Sequence, residues 1–256
     1  MLNIGGFPEG GRGKLWAEAL EKADDERRKK AERIPGERAR AACLGAGLLL
    51  QLAVREAGCP EGDSAGTMPG GETGPETRGG HRSREAVRIP LRCLEVRELL
   101  DSIPARLPLQ YTYGQKGKPY LRDYPYFFSI SHSGDYVLCV LAEEEVGADI
   151  QKMQPGDFDK LARRFFAETE AKTLAERTGA EKERLFYELW AKKEALGKLT
   201  GRGAAAVLGV CVLERWESRK QPEPDEAEES PEWLELASPE GYAAAVCRGK
   251  EGKRYG

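Results

Sequence analysis

Three oxygen-bearing residues in the second half of the chain, Asp149, Gln151 and Glu194, have the types and spacing to hold a hard cation. Asp149 lies in Val146-Gly-Ala-Asp-Ile-Gln151, a short apolar run with strand character. A carboxylate buried there without a partner is costly, so something cationic is expected to meet it. Alternation along a strand turns Asp149 and Gln151 to the same face, opposite Ala148 and Ile150, which sets two oxygen-bearing side chains together. Glu194 and Lys198 stand four residues apart in a run with helical apolar spacing, so their carboxylate and ammonium share one helix face. Mg²⁺ takes oxygen ligands, one or two of them carboxylates and the rest phosphates and waters. Asp149 and Glu194 are the candidate carboxylates. Taken singly, each residue has an ordinary reading: Asp149 as a salt-bridged strand residue, Glu194 and Lys198 with Lys192 and Lys193 as a solvated helix face, and Trp190 as core.

The elements that must position these residues can be followed along the chain. Leu15 to about Arg33 is charged and helical in character, and after the break at Ile34-Pro35-Gly36 an apolar helix continues from Gly45 to Val54. The longest apolar stretch, Ala39 to Val54, contains Arg40 and Gln51 and falls short of the ~20 residues of a membrane span, so a buried helix is expected. Gly58 to about Arg84 is rich in Gly, Pro, Ser, Glu and Thr and reads as a disordered insertion. Tyr126–Ser131 and Tyr136–Leu141 are β-rich runs separated by His132-Ser133-Gly134-Asp135, and Val146–Ile150 follows the acidic turn Glu143–Glu145 as a third strand. Helical spacing returns over Phe158–Phe166, Glu168–Arg177 and Lys182–Leu199, where Leu185, Phe186, Leu189, Trp190, Leu196 and Leu199 approximate one face. Val207–Leu213, Trp233–Leu236 and Tyr242–Cys247 read as strands, with Gln221–Pro231 as a flexible tip. Both halves run helices first and strands last, and an α+β fold of two similar lobes, residues 1–145 and 146–256, fits this order.

A chain of 256 residues suffices for one large domain or two small lobes. Forty basic against 43 acidic residues leave a net charge of −3, which opposes a general nucleic-acid binder despite the run Arg27-Arg28-Lys29-Lys30. Six cysteines are scattered without a CxxC pair and read as reduced thiols, mostly in the core. The first residues lack the charged and apolar regions of a signal peptide, so a cytoplasmic protein is expected.

Phe128-Ser-Ile-Ser-His132-Ser, Gly147-Ala-Asp149-Ile-Gln151 and Trp190-Ala-Lys-Lys-Glu194-Ala-Leu-Gly-Lys198, with Gly117-Lys118-Pro119 upstream, together resemble the 4'-phosphopantetheinyl transferases of the surfactin-synthetase-activating type. The order and spacing agree from about Leu91 to Thr200. The resemblance implies attack of a carrier-protein serine on the β-phosphate of coenzyme A, releasing 3',5'-adenosine diphosphate. It also implies a site at the junction of the lobes, and a monomer is expected. Such a phosphoryl transfer needs alignment and charge neutralisation, which Mg²⁺ and fixed cations supply.

By the same resemblance Glu194 becomes the candidate general base as well as a metal ligand beside Asp149. Lys198 neutralises the diphosphate, and Lys118 with Pro119 holds the nucleotide end. Ser131 and His132 meet a phosphate, the 3'-phosphate above all. Lys29 and Lys30 are the N-terminal basic candidates for that same group. Gln151 departs from the pattern, since most relatives carry an acidic ligand there and an amide oxygen is the weaker one. That departure is the only feature favouring a weakened homologue that binds coenzyme A or a carrier protein without turning it over. Fatty-acid, polyketide and nonribosomal-peptide carriers all remain open as substrates.

Overall fold

The computed structural model describes residues 1–7, 13–58, 92–114, 116–213 and 231–249. Apart from Gly58 and Pro231 themselves, the expected disordered insertion and the Gln221–Pro231 tip lie outside the described residues, as do His81 and Cys59.

The charged N-terminal run is two helices, α1 (Lys14–Lys22) and α2 (Asp25–Arg33). They are separated at Asp24, whose side chain accepts the amide hydrogen of Arg27 and so caps α2. The apolar helix α3 (Glu37–Glu56) starts eight residues before Gly45, with Glu37 in its first turn and Arg55 in its last. Both charges suit the helix dipole. From Ala41 to Val54 nearly every residue of α3 is buried. Two of its glycines are close-approach points: a methyl group at Gly45 would sit 2.6 Å from Leu2, and one at Gly47 would sit 2.6 Å from the Arg27 side chain.

Four strands form the first sheet, in the order β2 (Leu94–Glu95), β1 (Leu2–Asn3), β6 (Tyr136–Ala142), β5 (Phe127–Ser133). The β1–β2 pair is parallel and the others antiparallel. A short helix α4 (Val96–Asp101) follows β2, and β3 (Tyr111–Tyr113) and β4 (Pro119–Leu121) make a separate hairpin. The remaining sheet is antiparallel, β7 (Val146–Lys152), β9 (Tyr242–Arg248) and β8 (Glu232–Leu234) in that order. Helices α5 (Phe158–Phe165), α6 (Glu168–Ala175) and α7 (Gly179–Leu199) accompany it, and the result is the mixed α+β architecture expected. Phe186 and Leu189 of α7 lie in the core beneath α5 and α6, with Leu185, Trp190 and Leu196 packed against them.

One expected strand is absent. Val207–Leu213 follows a 3₁₀ turn at Ala204–Ala206 and runs over α7 without pairing to a sheet. Its backbone is claimed by side chains instead: Lys193 donates to the Val210 carbonyl, and the Val212 amide donates to Glu170 at 2.7 Å. Glu170 and Lys193 are themselves fully buried and 2.6 Å apart, an ion pair that ties α6, α7 and this segment together.

Candidate active site

Gly147 explains how a helix residue reaches a strand carboxylate. A methyl group there would lie 2.0 Å from the Ala195 carbonyl and 2.6 Å from the Leu199 amide, so only glycine lets α7 lie directly on the start of β7. Two residues along β7, Asp149 is 2 % exposed and receives three donors. Lys198 Nζ lies 2.8 Å from Asp149 Oδ1 and 3.0 Å from the Ala148 carbonyl. Ser131 Oγ donates to the same Oδ1 at 2.6 Å, and Gln151 Nε2 donates to Oδ2 at 2.7 Å. The cation expected to meet this buried carboxylate is therefore Lys198, and Gln151 does share its face. A carboxylate offers about four lone pairs, so three donors leave one direction open.

Glu194, one turn before Lys198, is half-buried. Burial raises its carboxyl pKa first, and the negative charge of Asp149 raises it further, while Lys198 acts the other way. Two carboxylates close enough to repel are the donor set a hard cation relieves, and Asp149, Glu194 and the Gln151 amide oxygen are all hard oxygens. Among the described residues no three His, Cys, Asp or Glu side chains converge, so a metal here would draw its remaining ligands from substrate and water. His132 follows Ser131 on β5 and is only partly open to solvent. Its pKa is lowered, first by the desolvation of its crowded setting and then by Lys198, with Asp149 opposing and Lys30 adding a smaller push. Lys30 is thus the basic residue of α2 whose charge is felt at His132.

Comparisons with known proteins give the segment around this site a family likeness. A family model described as the 4'-phosphopantetheinyl transferase superfamily matches residues 145–247. This segment is similar to that superfamily. The chain is 40% identical over 144 residues to the protein slr0495 of Synechocystis sp., covering 54% of this chain and 57% of that one. It is 33% identical over 148 residues to the 4'-phosphopantetheinyl transferase HetI of Nostoc sp., covering 54% and 60%. To the 4'-phosphopantetheinyl transferase Sfp of Bacillus subtilis it is 36% identical over 101 residues, covering 39% and 45%. The chain spans about half the length of these relatives.

Hydrogen bonds join Gln151, Lys198 and Ser131 to Asp149, Glu194 feels the charges of Asp149 and Lys198, and His132 on β5 feels those of Lys198, Asp149 and, from α2, Lys30. Lys29 is exposed on α2. Lys118 is engaged within the fold. Its ammonium pairs with the buried Glu145 and donates to the Leu199 carbonyl at 2.8 Å, while Tyr120 donates to Glu145 at 3.3 Å. Pro119 opens β4 opposite Tyr113. The Gly-Lys-Pro element therefore anchors the β3–β4 hairpin to the C-terminal end of α7, the helix that carries Glu194 and Lys198. Arg27 is likewise occupied within the fold, its guanidinium 5.8 Å from the centre of the Tyr111 ring.

Sequence reasoning passed over Ser129 and Ser133, whose hydroxyls accept the Ala148 and Lys152 amide hydrogens at 2.9 Å each. The signal was present: three serines at alternate positions of one strand mark a polar face that something must satisfy.

Proposed function

We propose that the protein transfers the 4'-phosphopantetheine group of coenzyme A to a serine of an acyl- or peptidyl-carrier protein in a Mg²⁺-dependent reaction that releases 3',5'-adenosine diphosphate. The observation that carries this reading is the convergence of Asp149, Lys198 and Glu194 in a segment similar to the transferase superfamily. Asp149, Glu194 and the Gln151 oxygen would hold the metal, which when bound supplies positive charge against the diphosphate. The carrier serine oxygen forms a bond to the β-phosphorus, the bond from that phosphorus to the bridging oxygen breaks, and the electron pair leaves with the adenosine diphosphate. Glu194 takes the serine proton. Its raised pKa suits it to that task, because burial and the neighbouring carboxylate both strengthen it as a base. Lys198, already beside Asp149, faces the charge of the transferring group. His132, with Ser131 beside it, binds the 3'-phosphate with help from Lys30 and Lys29.

We further read the chain as two lobes that divide near residue 145, with the site where β5 of the first meets β7 of the second, and as a monomer. Lys118 contributes in this reading through α7, its ammonium being committed to Glu145 and Leu199. Incubation of the purified protein with coenzyme A, Mg²⁺ and a set of apo-carrier proteins should add one phosphopantetheine to the carrier by intact mass, and EDTA should stop it. Binding of coenzyme A without any mass gain on any carrier would overturn the transfer reading in favour of a protein that only binds.

A further inference from the structure

Strands β5 and β7 belong to different sheets yet lie side by side, and what connects them is a row of serine hydroxyls. Ser129, Ser131 and Ser133 occupy alternate positions of β5 and so share one face. Ser129 Oγ accepts from the Ala148 amide and Ser133 Oγ from the Lys152 amide, both at 2.9 Å and both across 19 residues of sequence. Equal offsets four residues apart mean that the two strands run parallel and in register. Ser131, between them, turns to the carboxylate of Asp149 instead of to an amide. The two amides held by the outer serines flank Asp149, one residue before it and three after. Ala148 is held from both sides, its amide by Ser129 and its carbonyl by Lys198.

We propose that Ser129 and Ser133 are positioning residues for Asp149: through the backbone of β7 they set the place of a carboxylate that neither of them touches. A side-chain hydrogen bond to a buried amide is costly to lose, because the N–H is left without a partner. Loss of either hydroxyl frees one end of the strand segment and lets Asp149 shift against Ser131 and Lys198. The inference concerns this chain's own geometry, and it bears on catalysis only through the transferase reading above.

The test is ¹³C NMR of the Asp149 side-chain carboxyl in protein labelled at aspartate, assigned with Asp149→Asn. Ser133→Ala, at a half-buried position, and Ser129→Ala should each move or broaden the Asp149 resonance, and Ser133→Thr, which keeps the hydroxyl, should restore it. Ser102→Ala, which removes a hydroxyl bonded to the Glu98 carbonyl away from the site, should leave it in place. In the transfer assay, at a temperature where circular dichroism shows every variant folded, Ser133→Ala should lower kcat by about tenfold while KM for the carrier stays unchanged, as misplacement of a reacting group does. An Asp149 resonance unmoved in both alanine variants overturns the positioning role, whatever their melting temperatures. Movement of the resonance in a native protein that modifies no carrier would instead sink the transferase reading and leave the seam standing.

Discussion

Lys198 of α7 donates to Asp149 of β7 and to the carbonyl just before it, so one ammonium joins the helix to the strand at the point where the two candidate carboxylates repel. Asp149→Asn keeps the shape and removes the charge. It should cut transfer activity strongly, and a denaturant titration should show lower stability as well, because Lys198 and Ser131 lose an anionic acceptor. Full activity at saturating Mg²⁺ would mean that Asp149 serves the fold alone.

Glu194 and Lys198 should behave as one unit. Glu194→Gln removes a base, and Lys198→Ala removes a cation that faces the transferring group, a loss of about 3 kcal/mol in the transition state by analogy with other preorganised donors. Steady-state kinetics on the double variant should show less than the product of the single losses. Multiplicative effects would make this helix face ordinary surface.

His132 gives a pH readout that does not depend on turnover. The cation at Lys198 lowers its pKa, so Lys198→Ala should raise it, and Lys30→Ala should raise it by less. A proton NMR titration of the imidazole, with His81 substituted to leave one signal, measures both. The sign for stability follows: a histidine held below its ordinary value binds fewer protons folded than unfolded, so its contribution is lost as pH falls below about 6.5 toward the lowered value. An increase no larger for Lys198→Ala than for Lys30→Ala would contradict the placement of Lys198.

Gly147→Ala should be among the most damaging single changes, since its methyl group meets the backbone of α7 at Ala195 and Leu199 rather than a movable side chain. A cost of about 3 kcal/mol or loss of soluble protein is expected. Gly209→Ala, with open space around it, should change stability by less than about 0.5 kcal/mol. Thermal unfolding of the pair decides the point, and equal melting temperatures would refute the close approach.

Breaking the buried pair of Glu170 and Lys193 should cost about 3–5 kcal/mol in urea for Lys193→Ala, which strands a carboxylate. Glu170→Leu with Lys193→Met should recover only part of this, because the Ala167 and Val212 amides then lose the acceptor they share. Full recovery would show that those amides find other partners.

Much of the site was legible before any fold was known. Period-two alternation put Asp149 and Gln151 on one face, four-residue spacing put Glu194 and Lys198 on another, and the cost of burying Asp149 called for a cation. Local periodicity carries that information because it depends on backbone geometry alone. Tertiary structure decided which cation answered. Lys118 and Lys198 are both motif lysines, yet one is committed to Glu145 and the other to Asp149, and no spacing rule separates them. It also decided that Val207–Leu213, apolar and strand-like by itself, is held as a turn by Lys193 and Glu170. The sequence by itself determined which residues share an element's face; only packing determined which faces meet, because a hydroxyl, an amide and an ammonium choose partners by distance in the folded chain.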